Sequence, residues 1–75
     1  MRLNISGLNI RHYRIMRSLS QKELSDLLKE RGRNICKEDI RLIEEGKVCV
    51  FDIDIPILAD ILHVKMEDLL IESIS

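Results

Sequence analysis

Few residues in this chain could do chemistry, and most of those are polar or charged groups suited to meet an anion or the edge of a base. Ser20-Gln21-Lys22 combines a helix cap, an amide donor and a cation. At a helix N-terminus, where N–H groups lack partners and the dipole end is positive, that triplet suits a phosphate. Farther on, Lys37, Glu38, Asp39, Arg41, Leu42 and Glu45 belong to one helical stretch. At about 100° per residue, Glu38, Arg41, Leu42 and Glu45 oppose Cys36, Ile40 and Ile43, with Lys37 and Asp39 on the flanks. Such a face offers Arg41 and Lys37 to guanine or phosphate, Glu38 to cytosine N4 and Leu42 to a thymine methyl. The alternative is a plain solvated face, because it carries at least as many acids as bases. His12, Cys36, Cys49 and His63 have no standard ligand spacing, so no metal is expected. No nucleophile–base pair, paired carboxylates or glycine-rich phosphate loop can be assembled, so neither an enzyme nor a cofactor is expected. Cys36 reads either as a redox-sensitive thiol at a helix start or as a small apolar core residue, and the wheel turns it inward.

These residues need helices to position them. The first helix is expected over residues 7–17, with Arg11, Arg14 and Arg17 three apart. The second starts at Ser20, where Ser20 and Glu23 form a capping-box signature. Leu24, Leu27 and Leu28 give it an apolar face. It runs to Lys29 or Arg31 and stops at Gly32, which accepts a left-handed conformation. Gly32-Arg33-Asn34 is a turn and Ile35 re-enters the core. A third helix covers residues 37–45, ended by Gly46, and a linker follows over 47–51. The fourth begins near Asp52 or Asp54, either a good N-cap, with Pro56 in its first turn. Ile57, Leu58, Ile61 and Leu62 form its buried face and His63 ends it, where Gly or Asn is more usual. The alternation Ile53, Ile55, Ile57 could instead be a strand. A last short helix spans residues 66–71. Tyr13 and Phe51 read as core and edge packing.

Three strings, in order, carry a resemblance. The segment "IRHYRIMRSLSQKELSDLL" resembles the opening of the Cro/phage-repressor (XRE-like) helix-turn-helix domains, "DIRLIEEGK" the end of their recognition helix, and "LADILHVKMEDLL" their closing segment. The resemblance implies an all-α, five-helix bundle over residues 1–75 as one helix-turn-helix domain. It also implies a sequence-specific DNA-binding transcriptional regulator, a repressor, acting on double-stranded DNA. The implied DNA-binding set, combined with the face above, is Arg17, Ser20, Gln21, Lys22, Lys37, Glu38, Asp39, Arg41, Leu42 and Lys47. Arg14 and Glu44 match the family's partly buried ion pair between helices 1 and 3. Two departures stand out. About five extra residues, around Lys29 to Arg33, lengthen the second helix or the turn after it. Leu42 stands where the family usually has a basic or polar residue. The second helix's first turn and the third helix's face would then dock on backbone and major groove.

Composition sets the bounds. Seventy-five residues, 45% of them hydrophobic with one Tyr, one Phe and no Trp, favour one modest core of aliphatic helices. A net charge of −1 argues against bulk non-specific binding to nucleic acid and leaves room for a local basic stripe. That stripe is expected along Arg14, Arg17, Lys22, Lys37, Arg41 and Lys47. Two unpaired cysteines and no apolar run long enough for a bilayer suggest a cytoplasmic chain, bacterial or phage, with no membrane role. Leu69, Leu70, Ile71 and Ile74 exceed what so small a core can cover, so a homodimer is expected, with recognition helices about 34–36 Å apart on a palindrome. The competing reading is a protein-interaction module on the same fold, such as an antitoxin or anti-repressor, favoured by the acidic face and Leu42.

Overall fold

A computed structural model describes residues 4–70, and within them the chain is all helical: α1 (Asn4–Met16), α2 (Gln21–Glu30), α3 (Lys37–Glu44), α4 (Asp54–Leu62) and α5 (Met66–Leu70). Ile53, Ile55 and Ile57 do not form a strand. α1 packs on α3 and α5, α2 on α3 and α4, and α4 on α5. Among the described residues no helix is long and apolar enough to cross a membrane. The core is aliphatic: Ile10, Leu24, Leu28, Ile40, Leu58, Leu62 and Leu69 are almost wholly buried. Each contributes about 1.5–3 kcal/mol of transfer free energy.

The first four helices end alike. After α1, α2 and α3 the residue two beyond the last helical one takes a positive φ, at Ser18 (58°), Gly32 (84°) and Gly46 (79°), and after α4 it is the very next residue, His63 (60°). Each stop is closed by a pair of backbone bonds, such as Gly32 N to Lys29 O and Arg33 N to Leu28 O after α2. That bonding is the Schellman motif, and glycine is its least strained occupant. Ser18 and His63 adopt the same conformation without that freedom. The apolar residues that follow them, Leu19 and Val64, pack against the core and hold them there.

α2 has the expected capping box. Ser20 Oγ accepts from Glu23 N at 3.0 Å, and Glu23 Oε1 accepts from Ser20 N at 2.7 Å. The helix continues through Lys29 and Glu30 before the turn, so the first part of the stretch from Lys29 to Arg33 is helical. Four details differ from expectation. α1 begins before Gly7. Asp54 is inside the first turn of α4, and neither it nor Asp52 is the N-cap, because the buried Asp54 carboxylate faces Arg33. Phe51 is exposed, whereas Val50 in the same linker is buried. Leu69 lies wholly within the chain's own core, which leaves Leu70 exposed; Ile71 and Ile74 lie outside the described residues.

Gly7 has a role that its position in a helix does not advertise. A Cβ built there would overlap the backbone carbonyl of Ile43, so the missing side chain lets α1 approach the end of α3. Gly7→Ala is therefore expected to destabilise the protein by about 1–3 kcal/mol, despite alanine's better helix propensity. Urea unfolding checks this, and a stabilised variant would contradict the close approach.

Candidate nucleic-acid interface

The α3 face depends on what anchors its two ends. At its C-terminal end, Glu44 places a carboxylate near the negative end of the helix dipole, an unfavourable position if left alone. Arg14 of α1 answers it with a two-pronged contact: Nε donates to Glu44 Oε2 at 2.6 Å and Nη2 to Oε1 at 2.9 Å. Both side chains are largely removed from water, at 11% and 2% exposure. Arg14 Nη1 also donates to the carbonyl of Leu19 at 2.8 Å, and Gln21 Nε2 donates to Glu44 Oε1 at 3.1 Å. One carboxylate thereby joins α1, the α1–α2 connection, the first turn of α2 and α3.

The other end is fixed by separate bonds. Ser25 Oγ donates to the Ile35 carbonyl at 2.6 Å. Arg33 Nε donates to Asp54 Oδ1 at 2.5 Å, tying the α2–α3 turn to α4. Cys36 occupies the N-cap position, half-buried instead of turned into the core. Asp39 folds back on it, accepting from its backbone N at 3.4 Å and its Sγ at 3.3 Å.

The expected contact residues divide into groups. Ser20, Gln21 and Lys22 gather at the start of α2, where the backbone N–H groups of Gln21 and Lys22 have no partner among the described residues. Ser20 is occupied as the cap, and the Gln21 amide is turned to Glu44 instead of outward to an anion. Lys22 is exposed and pairs with Asp26 at 3.1 Å. On α3, Lys37, Glu38, Asp39 and Arg41 are exposed, while Leu42 is half-buried and so contributes less to the solvent face than its wheel position suggests. Arg41 and Lys47 both pair with Glu45, at 3.2 and 3.5 Å. Partial desolvation pushes the Glu45 carboxyl upward, but hydrogen bonds and charge from Arg41, then Lys47, outweigh it and hold it below the ordinary carboxylate range.

The six cations expected along a basic stripe are therefore differently engaged. Arg14 is buried against Glu44. Arg17 lines a different groove, with Leu27, Glu30, Arg31, Asp60 and His63. Lys22, Arg41 and Lys47 have acidic partners, which leaves Lys37 as the cation of the α3 face without an ion-pair partner among the described residues. Among those residues, too, no cluster of three or more His, Cys, Asp or Glu could hold a metal.

Three ties were not visible in the sequence: Gln21 to Glu44, Arg33 to Asp54, and Asn9 Nδ2 to the carbonyl of Leu69 at 2.8 Å. Each spans more than twenty residues and leaves no local signature. Comparison of the chain with protein-family models, curated proteins and solved structures finds no match.

Removing one partner of a buried ion pair strands the other, at a cost of about 3–5 kcal/mol. Glu44→Ala is expected to lose that much of a total that is about 5–15 kcal/mol for such domains. Arg14→Met combined with Glu44→Leu is expected to recover much of it. Chemical denaturation measures both, and an unchanged midpoint for Glu44→Ala would contradict the pairing.

Proposed function

We propose that this chain is a sequence-specific DNA-binding regulator of transcription, built on a helix-turn-helix of the phage-repressor type and acting as a homodimeric repressor on double-stranded DNA in the cytoplasm. The observation that carries the proposal is the frame around Glu44. It fixes the start of α2, with two open N–H groups and Lys22, relative to the exposed face of α3, with Lys37 and Arg41. The first is suited to a phosphate and the second to base edges. Arg14 and Glu44 meet as the resemblance implies, which supports the same reading.

A second reading has its own support. Most cations expected at the interface are already paired with acids, and Glu38 and Asp39 add negative charge at the start of α3. A face so balanced suits a protein partner, as in an antitoxin or anti-repressor.

Selection of bound sequences from random DNA at low salt separates the two. Enrichment of a palindrome is expected, and no enrichment would move the assignment to a protein partner. On an enriched site, Arg41→Ala should cost about 1–3 kcal/mol and relax preference at one or two positions. Lys22→Ala should weaken all sequences alike and lower the salt slope by about one unit. Glu45→Gln frees Arg41 and Lys47 and should tighten binding while steepening that slope by about one unit. Glu38→Gln should alter base preference if Glu38 reads cytosine and only tighten binding if it repels phosphate. Loss of Arg41, Lys37 and Lys22 without effect on binding would sink the groove-docking arrangement.

A further inference from the structure

Two neighbouring helices expose apolar side chains to solvent. On α1, Leu8 is 59% and Ile15 50% exposed; on α5, Met66 is 47% and Leu70 49%. At about 100° per residue, Leu8, Arg11 and Ile15 share one face of α1, and Met66, Glu67 and Leu70 share one face of α5. The two helices pack on each other, and the bond from Asn9 to the Leu69 carbonyl joins the chain neighbours of Leu8 and Leu70. Their charges are opposite: α1 contains no acidic residue and α5 no basic one. Arg11 and Glu67 are both exposed, and neither has an ion-pair partner among the described residues.

From this we infer that the joint face of α1 and α5 binds a second copy of the chain, with α1 of each protomer lying on α5 of the other about a two-fold axis and Arg11 meeting the partner's Glu67. The occupant follows from charge. An apolar face with an unpaired cation and no acid calls for an apolar face with an unpaired acid and no cation, and the chain carries both side by side. One two-fold operation brings each onto its complement, so both pairings form at once. Packing α1 on α1 and α5 on α5 would instead bring like charges together. Leu8, Ile15, Met66 and Leu70 then form the apolar centre, with Arg11 and Glu67 at its rim. Four half-exposed apolar residues fall short of the roughly 800 Å² per partner of a standard stable interface. The dimer is accordingly weak unless a shared site holds two copies together. This surface supplies the homodimer proposed above, and rests on that reading; it takes no residue from α3 or from the first turn of α2.

Sedimentation equilibrium of the full chain without DNA, from about 10 µM to 1 mM, covers the range in which so small an interface dissociates. The wild type is expected to reach the dimer and stop there, because a two-fold contact closes. Leu8→Asp is expected to remain monomeric. Arg11→Glu and Glu67→Arg each place like charges at both contacts and should weaken association about tenfold or more. Mixed one to one, these two variants form a heterodimer in which both contacts join opposite charges, so the mixture should associate as the wild type does. A contact between Arg11 and Glu67 inside one chain would not respond to mixing. The substituted side chains are exposed, and circular dichroism checks that each variant is folded. A wild type that stays monomeric to 1 mM overturns the inference, as do oligomers beyond the dimer or a mixture no better than its parts. Dimerisation without DNA binding would remove the regulator and keep the surface; DNA binding by a protein monomeric to 1 mM would do the opposite.

Discussion

The arrangement of the first three helices depends on one carboxylate. Glu44 lies at the negative end of α3 and almost out of water, where an unpaired charge would be intolerable. The guanidinium of Arg14 makes it tenable, and the fork of donors does more than neutralise it. Its third arm holds the Leu19 carbonyl, so the α1–α2 connection is set by the same side chain that sets α3. Gln21 completes the shell of Glu44 from the first turn of α2. Gly7 permits the backbone approach of α1 and α3 that brings these groups within reach. A buried pair of this kind contributes little net stability compared with an apolar replacement. Its contribution here is geometric, because its bonds are met in one relative placement of the helices.

The outer surface follows the opposite logic. Its charges are exposed, paired at short range along the chain, and worth little individually to stability. Pairing nevertheless changes what the surface offers. With Glu45 shared between Arg41 and Lys47, attraction to a polyanion is muted until a partner competes for those cations. In the DNA reading, discrimination then depends more on directional hydrogen bonds than on bulk attraction, which suits a chain of net charge −1.

Features encoded within one turn were legible in the sequence. The Ser20–Glu23 box and the stops at Gly32 and Gly46 appear where spacing and residue type put them, and α4 ends at His63, where the apolar spacing alone put it. Arg14 and Glu44 were legible only through family resemblance, because thirty residues separate them. Asp54 was misread for a related reason. An aspartate before an apolar helix ordinarily caps it, but here the carboxylate has a stronger partner in Arg33, brought near by the tertiary fold. Likewise Gln21 suits an anion by its place at a helix start, and a buried carboxylate took its amide instead. The wheel placed Cys36 in the core by extending the helix one residue too far; as the N-cap it leaves the helical path and meets Asp39.

α3 is clamped at both ends, by Glu44 at one and by the Ser25–Ile35 and Arg33–Asp54 ties at the other. A helix of only eight residues held in this way has little freedom left to lose when something docks on its outer face. Its rigidity also fixes who must adapt. A partner whose contours are slightly wrong cannot be met by tilting α3, so the strain of a poor fit falls on the partner. If that partner is a duplex, base steps that α3 never touches acquire influence through how readily they bend or twist. Selectivity could then extend beyond the few side chains able to read an edge, with the stiffness of the protein acting as the gauge.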